Sequence, residues 1–359
     1  YTALAGLDAK SRKEHVRIVW YGDSHTAADY LTGTVRRRLE ARFGAGGPGF
    51  VRVGTSPYRH DGVRVIRDGK WKLFPEPPSR RTPEGDGVFG PGGLLAQPVN
   101  KDARVEVRVD PKRLRGSLRY GLVYQARPGA SFRLGIGKKS ETVDARTRAE
   151  TLSGSSLVRL SREGAPGDAL EIALATGELR FAGLVAEGTE PGVVLDTIGI
   201  DGARVATPLA WNADAFAAYI ASRPPELAVF AFGTNEAFDA RSADAIVAEL
   251  GELVARVRRG APNADCLIVG PPDAAAPDLT SIPRVAELDA AERRAAERFG
   301  CGYFSLFHAM GGTNGFVRWM RETPPLARAD RVHLTIAGYE KLGDAIAAAL
   351  IESYGARPR

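Results

Sequence analysis

"VRIVWYGDSHTAADY", residues 16–30, decides the fold. An apolar run of strand character, residues 16–21, stops at Gly22, Asp23 and Ser24, and a helical pattern takes over. It ends near "FGAGGPGF", where glycines punctuate the chain. Strand, tight turn and helix make the opening of a βα unit, and the same rhythm returns after about residue 191. There, strand "GVVLDTIGI" leads to a helical stretch from about 210 to 222, then strand "LAVFAFG" and a helix from about 242 to 259. Strand "CLIVG", a helix from about 284 to 299, strand "GYFSLF" and a last helix from about 336 to 354 complete the series. Five strands with intervening helices predict an α/β fold with a parallel sheet covered on both faces.

Between these two parts the texture changes. From about 51 to 190 short alternating stretches, "ARVEVRVD", "LRYGLVYQA", "SFRLGIG", "LEIALATG" and "LRFAGLVAEG", recur between Gly, Pro and Asp turns. That pattern predicts an antiparallel β-sandwich. "SGSS" at 153–156 and the Pro/Gly cluster at 76–93 read as loops within it. The chain therefore divides into a discontinuous α/β domain, 1–50 and 191–359, and an inserted β-rich domain, 51–190.

Composition sets the outer limits. The chain has 359 residues, 44% hydrophobic and 26% charged, with no apolar run of membrane-spanning length. No membrane insertion is expected. Tyr1 opens the chain without Met or a charged and apolar leader, so it reads as a mature or trimmed sequence and is silent on secretion. The net charge of +6 favours approach to anionic polymers. The basic residues are mostly scattered arginines, and the densest run, "VRRRLEAR" at 35–42, has helical spacing and reads as a solvated helix face. No aromatic residues interleave with it, so no nucleic-acid partner is expected. Cys266 and Cys301 offer no metal-site spacing. Each precedes an apolar run, which suits either two small buried residues or a disulfide between neighbouring strand starts.

In a parallel α/β sheet the reactive groups collect at the carboxyl ends of the strands. The first strand ends at Ser24, which as an isolated serine would be a helix N-cap. The second ends in "GIDGAR", with Gly199 and Gly202; glycine there serves a turn or lets a backbone N–H approach a ligand. The third ends in "FGTNEA", where Asn235 is either a turn residue or an amide donor. Before the last helix, "ADRVHLTIAGY" puts Asp330 and His333 three residues apart. Together these supply what ester acyl transfer needs: a nucleophile, a base, a group that orients the base, and oxyanion donors. Ser24 is the candidate nucleophile, His333 the base and Asp330 its orienter. The N–H groups of Ser24 and Gly202 and the Asn235 amide are the candidate oxyanion hole.

These blocks resemble the SGNH hydrolases, the GDSL esterase family: "GDS" with Ser24, a glycine matching Gly202, "GTN" with Asn235, and Asp330 to His333 as "DxxH". The resemblance covers about 15–45 and 191–354. It implies a three-layer α/β/α sandwich around a five-stranded parallel sheet, flavodoxin-like, and chemistry without cofactor or metal. His25 stands where many members have Leu, and Glu236 where many have Asp. Neither position carries a chemical role in the scheme, so both bear on substrate and loop shape. His25 is taken as a packing or loop residue. His15, His60 and His308 lack a carboxylate at comparable spacing, which leaves His333 as the base.

The inserted sandwich, "GVVLDTIGIDGAR", "MGG" at 310–312 and "DRVHLTIAGY" resemble the bacterial branch containing peptidoglycan O-acetylesterases. That resemblance implies an O-acetylated glycan substrate, a carbohydrate-binding insertion near the active site, and a periplasmic or secreted location. The rival readings are an esterase, lipase or thioesterase for small or lipid esters, an acetylxylan-type esterase, and a glycan-binding protein on a vestigial hydrolase scaffold. Trp71, Trp211 and Trp319 are either sugar-stacking platforms or core residues. Oligomeric state is not legible in the sequence.

Overall fold

The computed structural model describes residues 1–55, 58–75, 82, 84–125, 128–145, 150–152 and 156–356. Its parallel sheet has six strands, one more than the sequence predicts. In chain order they are β1 (Val16–Gly22), β2 (Ala45–Gly47), β3 (Val193–Gly199), β4 (Leu227–Ala231), β5 (Asp265–Gly270) and β6 (Gly302–Ser305). They lie in the order β6-β5-β4-β1-β3-β2, with β1 in register between β3 and β4. The extra strand comes from the glycine stretch read as a helix terminus. Ala45–Gly47 extends the edge of the sheet beside β3, and Gly49–Val51 pairs with 180–188 in the inserted sandwich. Sheet formation there needs close backbone approach: a Cβ on Gly46 would lie 2.8 Å from the Val193 carbonyl oxygen.

The period-two geometry of β1 splits its side chains between two apolar cores. Val16, Ile18 and Trp20 pack with Leu31, Val35 and Leu39 of helix Leu31–Phe43 and Leu342 and Ile346 of helix Ile336–Gly355. Val19 and Tyr21 face Phe216 and Ile220 of helix Ala213–Ser222, Ile246 and Leu250 of helix Ala243–Gly260, and Leu288 of helix Pro283–Phe299. Burial on both faces, worth about 1.5–3 kcal/mol per large apolar side chain, makes β1 the axis of a three-layer α/β/α sandwich. The helix starts carry their signals in the sequence: Asn212, Ser242 and Thr335 each accept a backbone N–H of the first turn.

The insertion is an antiparallel sandwich of a five-stranded and a seven-stranded sheet around Val105, Val107, Tyr120, Phe132, Ile172, Phe181 and Leu184. Phe50, Val88, Phe89 and Leu95 instead join the core on the Tyr21 face of the parallel sheet, with Trp211. The two parts thus share apolar packing. Residues 76–81, 83 and 153–155 of the segments read as loops lie outside the described residues.

One expectation needs correction and two alternatives are resolved. "VRRRLEAR" is not wholly a solvated face. Arg36 is fully buried and paired with Asp29, which also accepts from Thr32, Thr197 and the Asp61 N–H. Trp211 and Trp319 are core residues, so neither is an exposed platform; Trp71 is half-buried against Phe181. Cys266 and Cys301 form a disulfide at the amino ends of β5 and β6, the side of the sheet away from Ser24.

Candidate active site

Ser24 is the first residue of the short helix Ser24–Ala27, directly after β1. Asp23, not Ser24, is the cap: its carboxylate accepts the His25 N–H at 2.9 Å. That arrangement leaves the Ser24 hydroxyl for another partner. Its Oγ lies 2.9 Å from His333 Nε2, and His333 Nδ1 lies 3.2 Å from Asp330 Oδ2. Asp330 and His333 share one tight turn, closed by Asp330 Oδ1 accepting the N–H groups of Val332 and His333 at 3.0 and 2.8 Å. Arg331 within it takes a left-handed conformation, φ 68°. The turn spends one carboxylate oxygen on the backbone and aims the other at the imidazole. Burial works against ionisation of Asp330, but the N–H groups of His333 and Val332, with the imidazole, hold its carboxyl below the ordinary carboxylate range.

The predicted oxyanion donors sit on the loops after β3 and β4. Gly202 has φ +73°, and a Cβ there would meet nothing within 4 Å, so its backbone borders open space. Among the described residues neither the Ser24 nor the Gly202 N–H donates to a protein acceptor. Asn235 spends one amide hydrogen on the Ala203 carbonyl at 2.9 Å and retains the second. Gly199 is also required, since a Cβ on it would strike the backbone of Ala27.

His25 is buried, as a packing residue should be. Its Nδ1 lies 3.0 Å from the Tyr339 hydroxyl, and its ring is 5.4 Å from that of His333. Burial, then the neighbouring His333, push its pKa down to about 3, so it stays neutral beside His333. His15 meets the Gly188 carbonyl oxygen and is no candidate. His60 lies beside Asp29, and His308 lies 3.1 Å from Asp289. Spacing alone hid both of these carboxylate neighbours.

The sequence missed the carboxyl groups beneath the site. Asp23, Glu236 and Glu292 are all buried behind the strand ends. Burial, helped by Glu236, pushes the Asp23 carboxyl up to about 7 despite the His25 N–H and the Thr234 hydroxyl. Glu236 was visible in "GTNE", but only as a departure from a family pattern. The insertion also reaches the segment after Ser24 and the carboxyl end of β3. Arg52 donates to the Gly199 carbonyl, Arg59 to the Ala28 carbonyl, and the Asp61 N–H to Asp29. Among the described residues, no group of His, Cys, Asp and Glu is arranged to hold a metal ion.

Residues 163–341 match the GDSL-like Lipase/Acylhydrolase family. The chain belongs to that family, whose members are ester-hydrolysing enzymes. The matched segment holds Gly202, Asn235, Asp330 and His333, while Ser24 lies on the other side of the insertion. A solved peptidoglycan O-acetylesterase shares 23% identity and has TM-score 0.81, covering 99% of this chain and 96% of that one. It has the same fold, sandwich included. A lipase/acylhydrolase from Enterococcus faecalis shares 19% identity at TM-score 0.34, over 46% of this chain and 77% of that one. A family two carbohydrate esterase from Clostridium thermocellum shares 12% at TM-score 0.34, over 81% and 99%. No curated protein matches the chain.

Proposed function

We propose that this enzyme is a serine esterase that removes O-acetyl groups from a carbohydrate, with peptidoglycan as the polymer, outside the cytoplasm. The observation that carries the reading is the line from Ser24 Oγ through His333 to Asp330, at 2.9 and 3.2 Å on opposite ring nitrogens. His333 Nε2 takes the Ser24 proton as Oγ attacks the acetyl carbonyl. Negative charge on the carbonyl oxygen is met by the Ser24 and Gly202 N–H groups and the free Asn235 amide hydrogen. The imidazolium, held by Asp330, returns the proton to the departing sugar oxygen. Water, activated by the same imidazole, then releases acetate and restores Ser24.

Support for a glycan comes from the insertion, which meets the chain just after Ser24–Ala27 through Arg59 and Asp61 and the carboxyl end of β3 through Arg52, and from the full-length likeness of fold to a peptidoglycan O-acetylesterase. The net charge of +6 suits a carboxylate-bearing polymer.

The test is acetate release from O-acetylated peptidoglycan and from acetylated xylan, side by side, by the wild type and by Ser24→Ala. Serine-dependent release favouring peptidoglycan is expected. Cleavage of a small aryl acetate with neither polymer touched would leave an esterase and overturn the substrate.

A further inference from the structure

The loops that carry Gly202 and Asn235 are joined by a group that the mechanism above does not use. Glu236 is fully buried, and its carboxylate bridges them: Oε1 accepts the Val205 N–H at 2.8 Å and Oε2 the Gly233 N–H at 3.0 Å. Val205 lies three residues after Gly202, and Gly233 two before Asn235. The Asn235 amide to the Ala203 carbonyl, and Arg204 to both Asp239 and the Asn235 carbonyl, close the same seam from outside. An oxyanion hole gains its effect from donors fixed before charge develops, so the spacing of these loops matters as much as the donors do.

We propose that Glu236 is a positioning residue for the oxyanion hole, its two carboxylate oxygens setting the separation of the Gly202 and Asn235 loops. This rests on the esterase reading above. The chemistry demands a carboxylate: two converging N–H donors need two acceptors, and a carboxamide offers one acceptor and presents its own N–H to the second donor. Gly233 adds a steric reason for the site. It has φ +106°, and a Cβ there would lie 2.8 Å from Glu292 Oε1 and 2.9 Å from Pro271 Cδ, so glycine is favoured where the bridge is made.

Glu292 supplies the control. It is equally buried in the same cluster, yet among the described residues neither of its oxygens has a hydrogen-bond partner. Burial, then Glu236, Asp289 and Asp23, push its carboxyl well up.

The experiment compares Glu236→Gln, Glu236→Asp and Glu292→Gln with the wild type, using p-nitrophenyl acetate and phenylboronic acid, whose serine adduct is tetrahedral. Glu236→Gln should lower kcat about 10²-fold, the scale of losing one oxyanion donor, with KM within a few-fold. Boronate affinity should fall in parallel. The pH midpoint of kcat should stay put, because His333 and Asp330 are untouched. Glu236→Asp, which keeps the charge but shortens the arm, should fall between, and it carries the test if the Gln variant does not fold. Glu292→Gln should match the wild type. Unchanged kcat and boronate affinity in a folded Glu236 variant would overturn the proposal. So would an equal loss in Glu292→Gln, which would assign the effect to buried acid in general. Failure of the esterase reading shows separately, as wild-type turnover that survives Ser24→Ala.

Discussion

Two clusters in this molecule contain a serine, a histidine and an aspartate within hydrogen-bond reach. In one, Ser24 and Asp330 engage opposite nitrogens of His333. In the other, Ser305 Oγ lies 2.8 Å and Asp289 Oδ2 3.1 Å from the same atom, His308 Nδ1. Ser305 also donates to Asp289 at 2.5 Å and caps the turn Leu306–Ala309 by accepting the His308 N–H. A proton can pass from serine to imidazole while a carboxylate steadies the far nitrogen only in the first arrangement. In the second, the serine proton is already committed to the carboxylate. Identical composition therefore gives the geometry a proton relay needs at the end of β1 and a helix cap at the end of β6.

The sharpest break between them is Ser24→Ala against Ser305→Ala. The first should reduce ester hydrolysis by about 10⁴-fold or more with the fold intact, whereas the second should leave kcat alone and cost ~1 kcal/mol of stability as a lost cap. Chemical denaturation alongside aryl acetate turnover checks both, and comparable turnover losses would erase the distinction. Next in size is the carboxylate pair. Asp330→Asn should lower kcat by about 10²–10⁴-fold by misorienting the imidazole. Asp289→Asn should act on stability, since Asp289 accepts from Tyr303 and Ser305 and faces no substrate space.

The pH profile sharpens the same contrast with a smaller effect. Only neutral His333 can take the serine proton, so kcat/KM should rise tenfold per pH unit on the acid limb and then level. Asp330, held below the ordinary carboxylate range, stays ionised throughout that limb, and His25, at about 3, stays neutral. Neither of these two groups adds a proton to the limb, so a slope above one would report the buried Asp23 carboxyl, pushed up to about 7, titrating with His333.

The smallest effect on activity belongs to the disulfide. Cys266 and Cys301, 35 residues apart in sequence, tie the strand ends opposite the active site. Replacing both by Ala should lower stability by about 2–4 kcal/mol in the chain-entropy picture while kcat stays within two-fold. A large loss of kcat would show that strand spacing at one end is felt at the other.

Much of this was legible before folding. Residues 16–30 announce a strand buried on both faces, and Ser24, Gly202, Asn235, Asp330 and His333 each stand where a strand end or the last helix begins. The structure places the strands and major helices within a few residues of the pattern because caps and periodicity are local properties. What escaped had a non-local cause. Arg36 follows helical spacing like its solvated neighbours, and only Asp29, fixed by Thr197 and Asp61 from distant segments, draws it inward. The glycine run 44–49 has no strand propensity of its own and becomes strand because two different sheets offer it edges.

From the sequence alone follow the α/β class, the inserted sandwich and the identity of the candidate nucleophile and base, since periodicity and strand-end chemistry are written residue by residue. Only the tertiary structure decides which nitrogen of which histidine meets which oxygen, and that Glu236 spans two loops at its core. Those facts depend on distances between segments up to 309 residues apart, which no local pattern encodes.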